Sequence, residues 1–217
     1  MSKCVLFDLD GTIVDTNELI IETFQYVLRD RFAMEMPRER IIPYMGQTLA
    51  DQFRAFTGLH DVEELTRAYR VYNLMRHDEM VGLFPNVPEV VQRLSDEGFR
   101  LGVVTTKARE TSERVLRMFG LLPYMESIVT VEDVVHPKPH PEPVLKAMGE
   151  LGASPEHTWM VGDSPADMGA AKAAGVQAVA VGWSLKPEEV LREHGADVVI
   201  YKMEDLYELC GLKEIHR

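Results

Sequence analysis

The chain has 217 residues, 46% apolar and 27% charged, a length that holds one well-buried core or a core carrying a smaller inserted domain. Its net charge of −12, from 23 basic and 35 acidic residues, argues against a nucleic-acid partner, and no apolar run reaches the roughly 20 residues of a membrane span. Two cysteines, Cys4 and Cys210, build neither a disulfide framework nor a zinc site, and MSKCVLFD enters a strand without room for a signal peptide, so a cytoplasmic protein is expected.

The first predicted strand is CVLFD, residues 4–8, and it runs into Asp8-Leu9-Asp10-Gly11-Thr12. If that strand persists, alternation puts Asp8 and Asp10 on one face and turns Leu9 to the core. About ninety residues then separate Asp10 from Leu101, where a parallel crossover needs about a dozen. The surplus reads as helices at 17–31, 38–43, 48–56 and 62–82, the last with Leu65, Ala68, Tyr69, Tyr72 and Met75 at helical spacing. Gly11, and Leu83 with Phe84 and Pro85, are the expected hinges.

Beyond the insertion, strands at 101–105, 127–131, 158–162, 177–181 and 197–201 alternate with helices at 87–97, 108–119, 141–151, 165–174 and 187–194. Near-continuous apolarity in these strands suits a sheet covered on both faces. The expected fold class is α/β, a doubly wound parallel sheet with an inserted all-helical cap domain. Its boundaries are a core of residues 1–14 and 84–217 and a cap of residues 15–83. Leaving from the carboxyl end of the first strand, the cap would cover the crevice where such sheets bind ligands.

Four stretches lie at strand ends: Asp8 to Thr12, Val104-Thr105-Thr106-Lys107, Lys138-Pro139, and Gly162-Asp163-Ser164-Pro165-Ala166-Asp167. They bring three or four carboxylates, one or two hydroxyls and one lysine to one place. Clustered carboxylates need a counter-charge, and a few hard oxygen ligands suit Mg²⁺. Lysine and threonine would then hold phosphoryl oxygens while a carboxylate attacks phosphorus. Gly46 and Gln47 open a cap helix at Thr48 and either present N–H groups to the substrate or form an ordinary helix-entry turn. Prolines beside His136 and His140 argue against a metal pair there, and His77-Asp78-Glu79 reads as a solvated face or a hinge contact.

With all four motifs in order over nearly every residue, the chain resembles a haloacid dehalogenase superfamily phosphatase with a helical cap of the first type. The resemblance implies a Rossmann-like core and a phospho-aspartate mechanism. Asp8 would be the nucleophile and Asp10 the general acid and base. Thr105, with Thr106 beside it, and Lys138 would bind the phosphoryl group. Mg²⁺ would be held by Asp8, Asp163 and the main-chain carbonyl of Asp10, and Asp167 would support the metal or orient Lys138.

Departures narrow the reading. Asp10 is absent from dehalogenases, Gly162 replaces the glutamate of β-phosphoglucomutases, and no lysine stands between Lys3 and Lys107 to form a Schiff base. The segments TNELII, YNLMRHDE, VTTKARET and GWSLK favour an inorganic pyrophosphatase, with a phosphatase for phosphoglycolate or another small phosphomonoester second. Either substrate carries a second anionic group, for which Arg54 and Arg76 are the expected cap partners. A phospho-accepting signalling domain shares the chemistry but lacks the insertion. The expected partner is pyrophosphate or a small phosphorylated molecule, and the expected state a monomer or weak homodimer.

Overall fold

A computed structural model describes residues 2–213. In chain order, β1 (Ser2–Phe7) leads through a two-residue strand, β2 (Val14–Asp15), into helices α1 (Asn17–Phe32), α2 (Arg38–Ile41), α3 (Leu49–Thr57) and α4 (Glu63–Met80). The chain returns through β3 (Gly82–Leu83) and continues as α5 (Val87–Asp96), β4 (Arg100–Val104), α6 (Arg109–Met118), β5 (Ser127–Val129) and α7 (Glu142–Leu151). It closes with β6 (Ala153–Gly162), α8 (Pro165–Ala174), β7 (Gln177–Val181), α9 (Glu188–Glu193), β8 (Val198–Ile200) and α10 (Asp205–Leu209).

Six strands form one sheet in the order β5-β4-β1-β6-β7-β8, and every adjacent pair is parallel. Each strand alternates between two cores, as a period of two residues demands. Val5 and Phe7 of β1 join Val103, Val161 and Val179 on one face, with Val90 and Leu94 of α5. Cys4 and Leu6 join Met160 and Ala178 on the other, with Val144 of α7 and Met168 of α8. Helices on both faces make this the doubly wound sheet expected.

The inserted helices bury a third cluster of their own, built on Phe24 and Leu28 of α1, Phe53 and Phe56 of α3, and Leu65 of α4. Phe24 meets Phe53 and Phe56 edge to face, with ring centres 5.0 and 5.2 Å apart. Where the chain leaves and re-enters the sheet region, β2 and β3 pair antiparallel, Val14 opposite Leu83 and Asp15 opposite Gly82.

Several boundaries differ from the sequence reading for local reasons. The strand expected over 127–131 stops at Val129 because Thr130 caps a 3₁₀ turn, Val131–Asp133, through a reciprocal Thr130–Asp133 capping box. The helix expected over 62–82 ends at Met80, since Gly82 and Leu83 are drawn into the ribbon. The helix expected over 38–43 breaks after Ile41 into a 3₁₀ turn containing Pro43, which has no N–H to continue it. No helix among the described residues is long and apolar enough to cross a membrane.

Candidate active site

The loops that follow β1, β4 and β6 leave from the same carboxyl edge of the sheet. β1 ends at Phe7, not at Asp8, although the Asp8 N–H still donates to Val161 at 2.8 Å. The Leu9 carbonyl then accepts from Ile13 and Val14, so the chain folds back instead of running on extended. The alternation survives the end of the strand: Leu9 is buried in the core, and both carboxylates line one cavity of about 410 Å³.

Lys138 organises the buried side of this site. Its Nζ donates to Asp8 Oδ1 at 2.8 Å, to Asp167 Oδ1 at 2.6 Å and to the Val104 carbonyl at 2.8 Å, which uses all three of its protons. Asp167 Oδ2 accepts from the N–H and hydroxyl of Ser164 at 3.0 and 2.6 Å, closing the capping box of α8. Asp167 thus has the geometry of a lysine-orienting residue. Lys138 and Asp167 stay off the cavity wall, whereas Asp8, Asp10, Thr105, Thr106, Asp163, Gly46 and Gln47 line it. Among the described residues nothing donates to Asp8 Oδ2.

The hydroxyls do different work. Thr105 Oγ1 accepts from the Lys107 N–H at 3.1 Å, and the Thr105 N–H is tied to Val129. Thr106 donates to the Gly46 carbonyl at 3.3 Å, which ties the core to the loop opening α3. Gly46 has φ +99°, and a Cβ there would lie 2.6 Å from Ser164 Oγ, so only glycine lets that loop rest on the core.

Two further lysines enter that sequence reading gave no role. Lys107 Nζ contacts Asp10 Oδ1 at 2.9 Å and Oδ2 at 3.2 Å, and Thr16 donates to the same Oδ1 at 2.8 Å. Lys186, from the loop after β7, is buried and holds Asp163 Oδ2 at 3.0 Å. Three ammonium groups thus stand against four carboxylates, so the charge argument for a cation is weaker than one lysine suggests. Lys107 was visible two residues beyond Thr105, and Lys186 at the end of GWSLK, but neither spacing assigned a partner.

Burial still sets the electrostatics. Desolvation pushes Asp8 up to about 8, against the pull of Lys138 and helped by Asp167 and Asp163. Asp163 is raised as well, first by burial, with Lys186 opposing. Lys138 is raised despite its burial, because Asp167 and Asp8 both hold its proton. Oxygens of Asp8, Asp163 and Asp167 lie within 4.8 Å of one another, and Asn17 Oδ1 is buried without a partner. A Cβ on Gly11 would meet Asp163 Oδ2 at 2.7 Å and Asn17 Oδ1 at 3.4 Å, which places that unpaired acceptor beside the cluster. All are hard oxygen donors, a set that fits a small divalent cation.

The expected cap arginines do not reach the cavity. Arg54 is turned to Asp51 and the His60 carbonyl, and Arg76 to Glu22 and Glu79. Arg70 of α4 lines the cavity instead, with no hydrogen bond or ion pair among the described residues. His136 and His140 sit exposed with ring centres 4.7 Å apart. His77 is buried with Nδ1 2.8 Å from Asp78, whereas Asp78 and Glu79 are exposed; Asp78 takes a two-pronged contact from Arg114 of α6 at 2.6 and 3.1 Å, which links the inserted helices to the core.

A family model described as haloacid dehalogenase-like hydrolase matches residues 5–181. Among curated proteins, the pyrophosphatase PpaX of Bacillus mycoides is 44% identical over 202 residues, covering 93% of this chain and 94% of its own. The PpaX pyrophosphatase of Bacillus anthracis is 43% identical over 213 residues, 98% of this chain and 97% of its own. A solved protein from Bacteroides fragilis, described as haloacid dehalogenase-like, superposes with a TM-score of 0.85 at 29% identity and covers 95% of this chain and 100% of its own. A hydrolase from Pseudomonas syringae shares the fold at a TM-score of 0.87 and 21% identity, over 97% and 98% of the two chains. Motif order, site geometry and these matches agree: the chain belongs to the haloacid dehalogenase-like hydrolases.

Proposed function

We propose that the protein is an inorganic pyrophosphatase that transfers a phosphoryl group to Asp8, with residues 15–83 acting as a cap over the crevice. One observation carries the reading: Lys138 fixes Asp8 by Oδ1, and Oδ2 is left without a donor in a cavity that Asp10 also lines. A carboxylate held this way is oriented for attack.

In this reading Oδ2 of Asp8 attacks phosphorus, the bond from phosphorus to the bridging oxygen breaks, and Asp10 delivers its proton to the departing phosphate. Asp10 then takes a proton from water, which attacks the acyl phosphate and frees the second phosphate and Asp8. Thr105 holds phosphoryl charge from the cavity wall. Lys138, with all three protons committed, holds Asp8 and not, as expected, the substrate directly, and Lys107 keeps Asp10 in place between the two steps. Asp8, Asp163 and the Asp10 carbonyl would hold Mg²⁺, which supplies neutralisation of phosphoryl oxygens when bound. Arg70 and Gln47, which line the same cavity, suit the second phosphate of pyrophosphate. The names of the PpaX relatives support that choice of substrate, and the two buried free cysteines suit a cytoplasmic protein.

The test is kcat/KM for pyrophosphate and for phosphoglycolate on one Mg²⁺-loaded preparation. Pyrophosphate is expected to be preferred by about tenfold or more, since one well-placed charged contact is worth about 1.5–3 kcal/mol. A preference for phosphoglycolate would overturn the substrate assignment.

A further inference from the structure

Lys186 is a buried cation for which the reaction as proposed has no use. It does not line the cavity, and it touches neither Asp8 nor Asp10. Its sole charged partner among the described residues is Asp163, at 3.0 Å, with both side chains nearly sealed from solvent. The connection is rigid. Ser184 donates to the Asp163 carbonyl at 2.6 Å and accepts from the Lys186 N–H at 3.0 Å, so one hydroxyl ties both main chains. Trp183 anchors the same loop, donating from Nε1 to the Thr12 carbonyl at 3.2 Å and packing on Phe84.

We propose that Lys186 is a built-in counter-cation of Asp163 that sets how tightly the carboxylate cluster holds a divalent ion. The inference rests on the cation site of the proposed function. Lys138 and Lys107 serve Asp8, Asp167 and Asp10, which leaves Asp163 to Lys186 alone. An ammonium and a divalent cation on one carboxylate repel each other in a site with little water to screen them. Lys186 therefore weakens cation binding while it keeps Asp163 from being a buried, unpaired charge in the cation-free protein. A residue that merely oriented Asp163 would have the opposite sign: its loss would weaken binding.

Calorimetric titration of the full-length protein with MgCl₂ separates the two, together with melting temperatures with and without Mg²⁺. Lys186→Gln keeps an amide donor and removes the charge, and Lys186→Met removes both. The dissociation constant for Mg²⁺ is expected to fall on the order of tenfold in each, with a larger Mg²⁺-induced rise in Tm than in the wild type. A dissociation constant in Lys186→Gln at or above the wild-type value overturns the proposal, and Lys186→Met takes the same criterion if the glutamine variant does not fold. A wild-type protein that binds no Mg²⁺ overturns the cation site itself, and this inference with it.

Discussion

Lys138 sits between two buried carboxylates, and its removal leaves both without a cation. Breaking a buried pair from one side costs about 3–5 kcal/mol, because the remaining charge is stranded. Lys138→Met is therefore expected to lower unfolding free energy by about that amount in urea titrations, apart from its loss of activity. A change under about 1 kcal/mol would mean that the pair is not load-sharing in the folded protein. Asp8 gives the matching pH prediction. Its carboxyl, raised to about 8 by burial, keeps its proton through neutral pH in the cation-free protein. That protonated form favours folding below the ordinary carboxylate range, and the contribution is lost as pH rises through about 8. A cation needs the carboxylate, so Mg²⁺ binding at pH 7 should release a proton. Calorimetry in two buffers of different ionisation enthalpy reads this as a buffer-dependent heat, and identical heats would contradict it.

At the scale of elements, α4 decides which side chain reaches the cavity. Its charged residues looked interchangeable in sequence, because an exposed helix carries no signal of which face meets the rest of the chain. The structure separates them: Arg67 pairs with Glu63, Arg76 with Glu22 and Glu79, and Arg70 lines the cavity. Arg70→Ala should raise KM for pyrophosphate roughly tenfold and leave kinetics with p-nitrophenyl phosphate, which lacks the second phosphate, within about twofold. Equal losses on both substrates would remove Arg70 from that role. The β2–β3 ribbon was equally invisible, since two residues are too few for a period of two to show. By contrast, the apolar runs of β1, β4, β7 and the second half of β6 were plain, because they are buried on both faces, whereas β6 begins at Ala153, five residues before the expected 158, in a polar, partly exposed stretch.

Over the whole molecule, the sheet sets the candidate site and the inserted helices supply part of its cavity wall. Residues far apart in sequence, Asp8, Thr105, Lys138 and Asp163, converge because parallel strands deliver their loops to one edge. That logic let the motif order alone assemble most of the site. It gave Lys186 no role, although GWSLK was singled out, because the meeting of that lysine with Asp163 depends on strand order, which only the fold supplies. In the proposed reaction Asp8 itself carries the phosphoryl group. Asp10→Asn protein should take up that group and release it slowly, for want of a base to activate water. Acid-quenched Asp10→Asn protein, incubated with pyrophosphate and Mg²⁺ and then mapped by peptide mass spectrometry, is expected to carry one phosphoryl group on Asp8. A phosphoryl group on any other residue, or near-normal turnover by Asp8→Asn, would contradict the account.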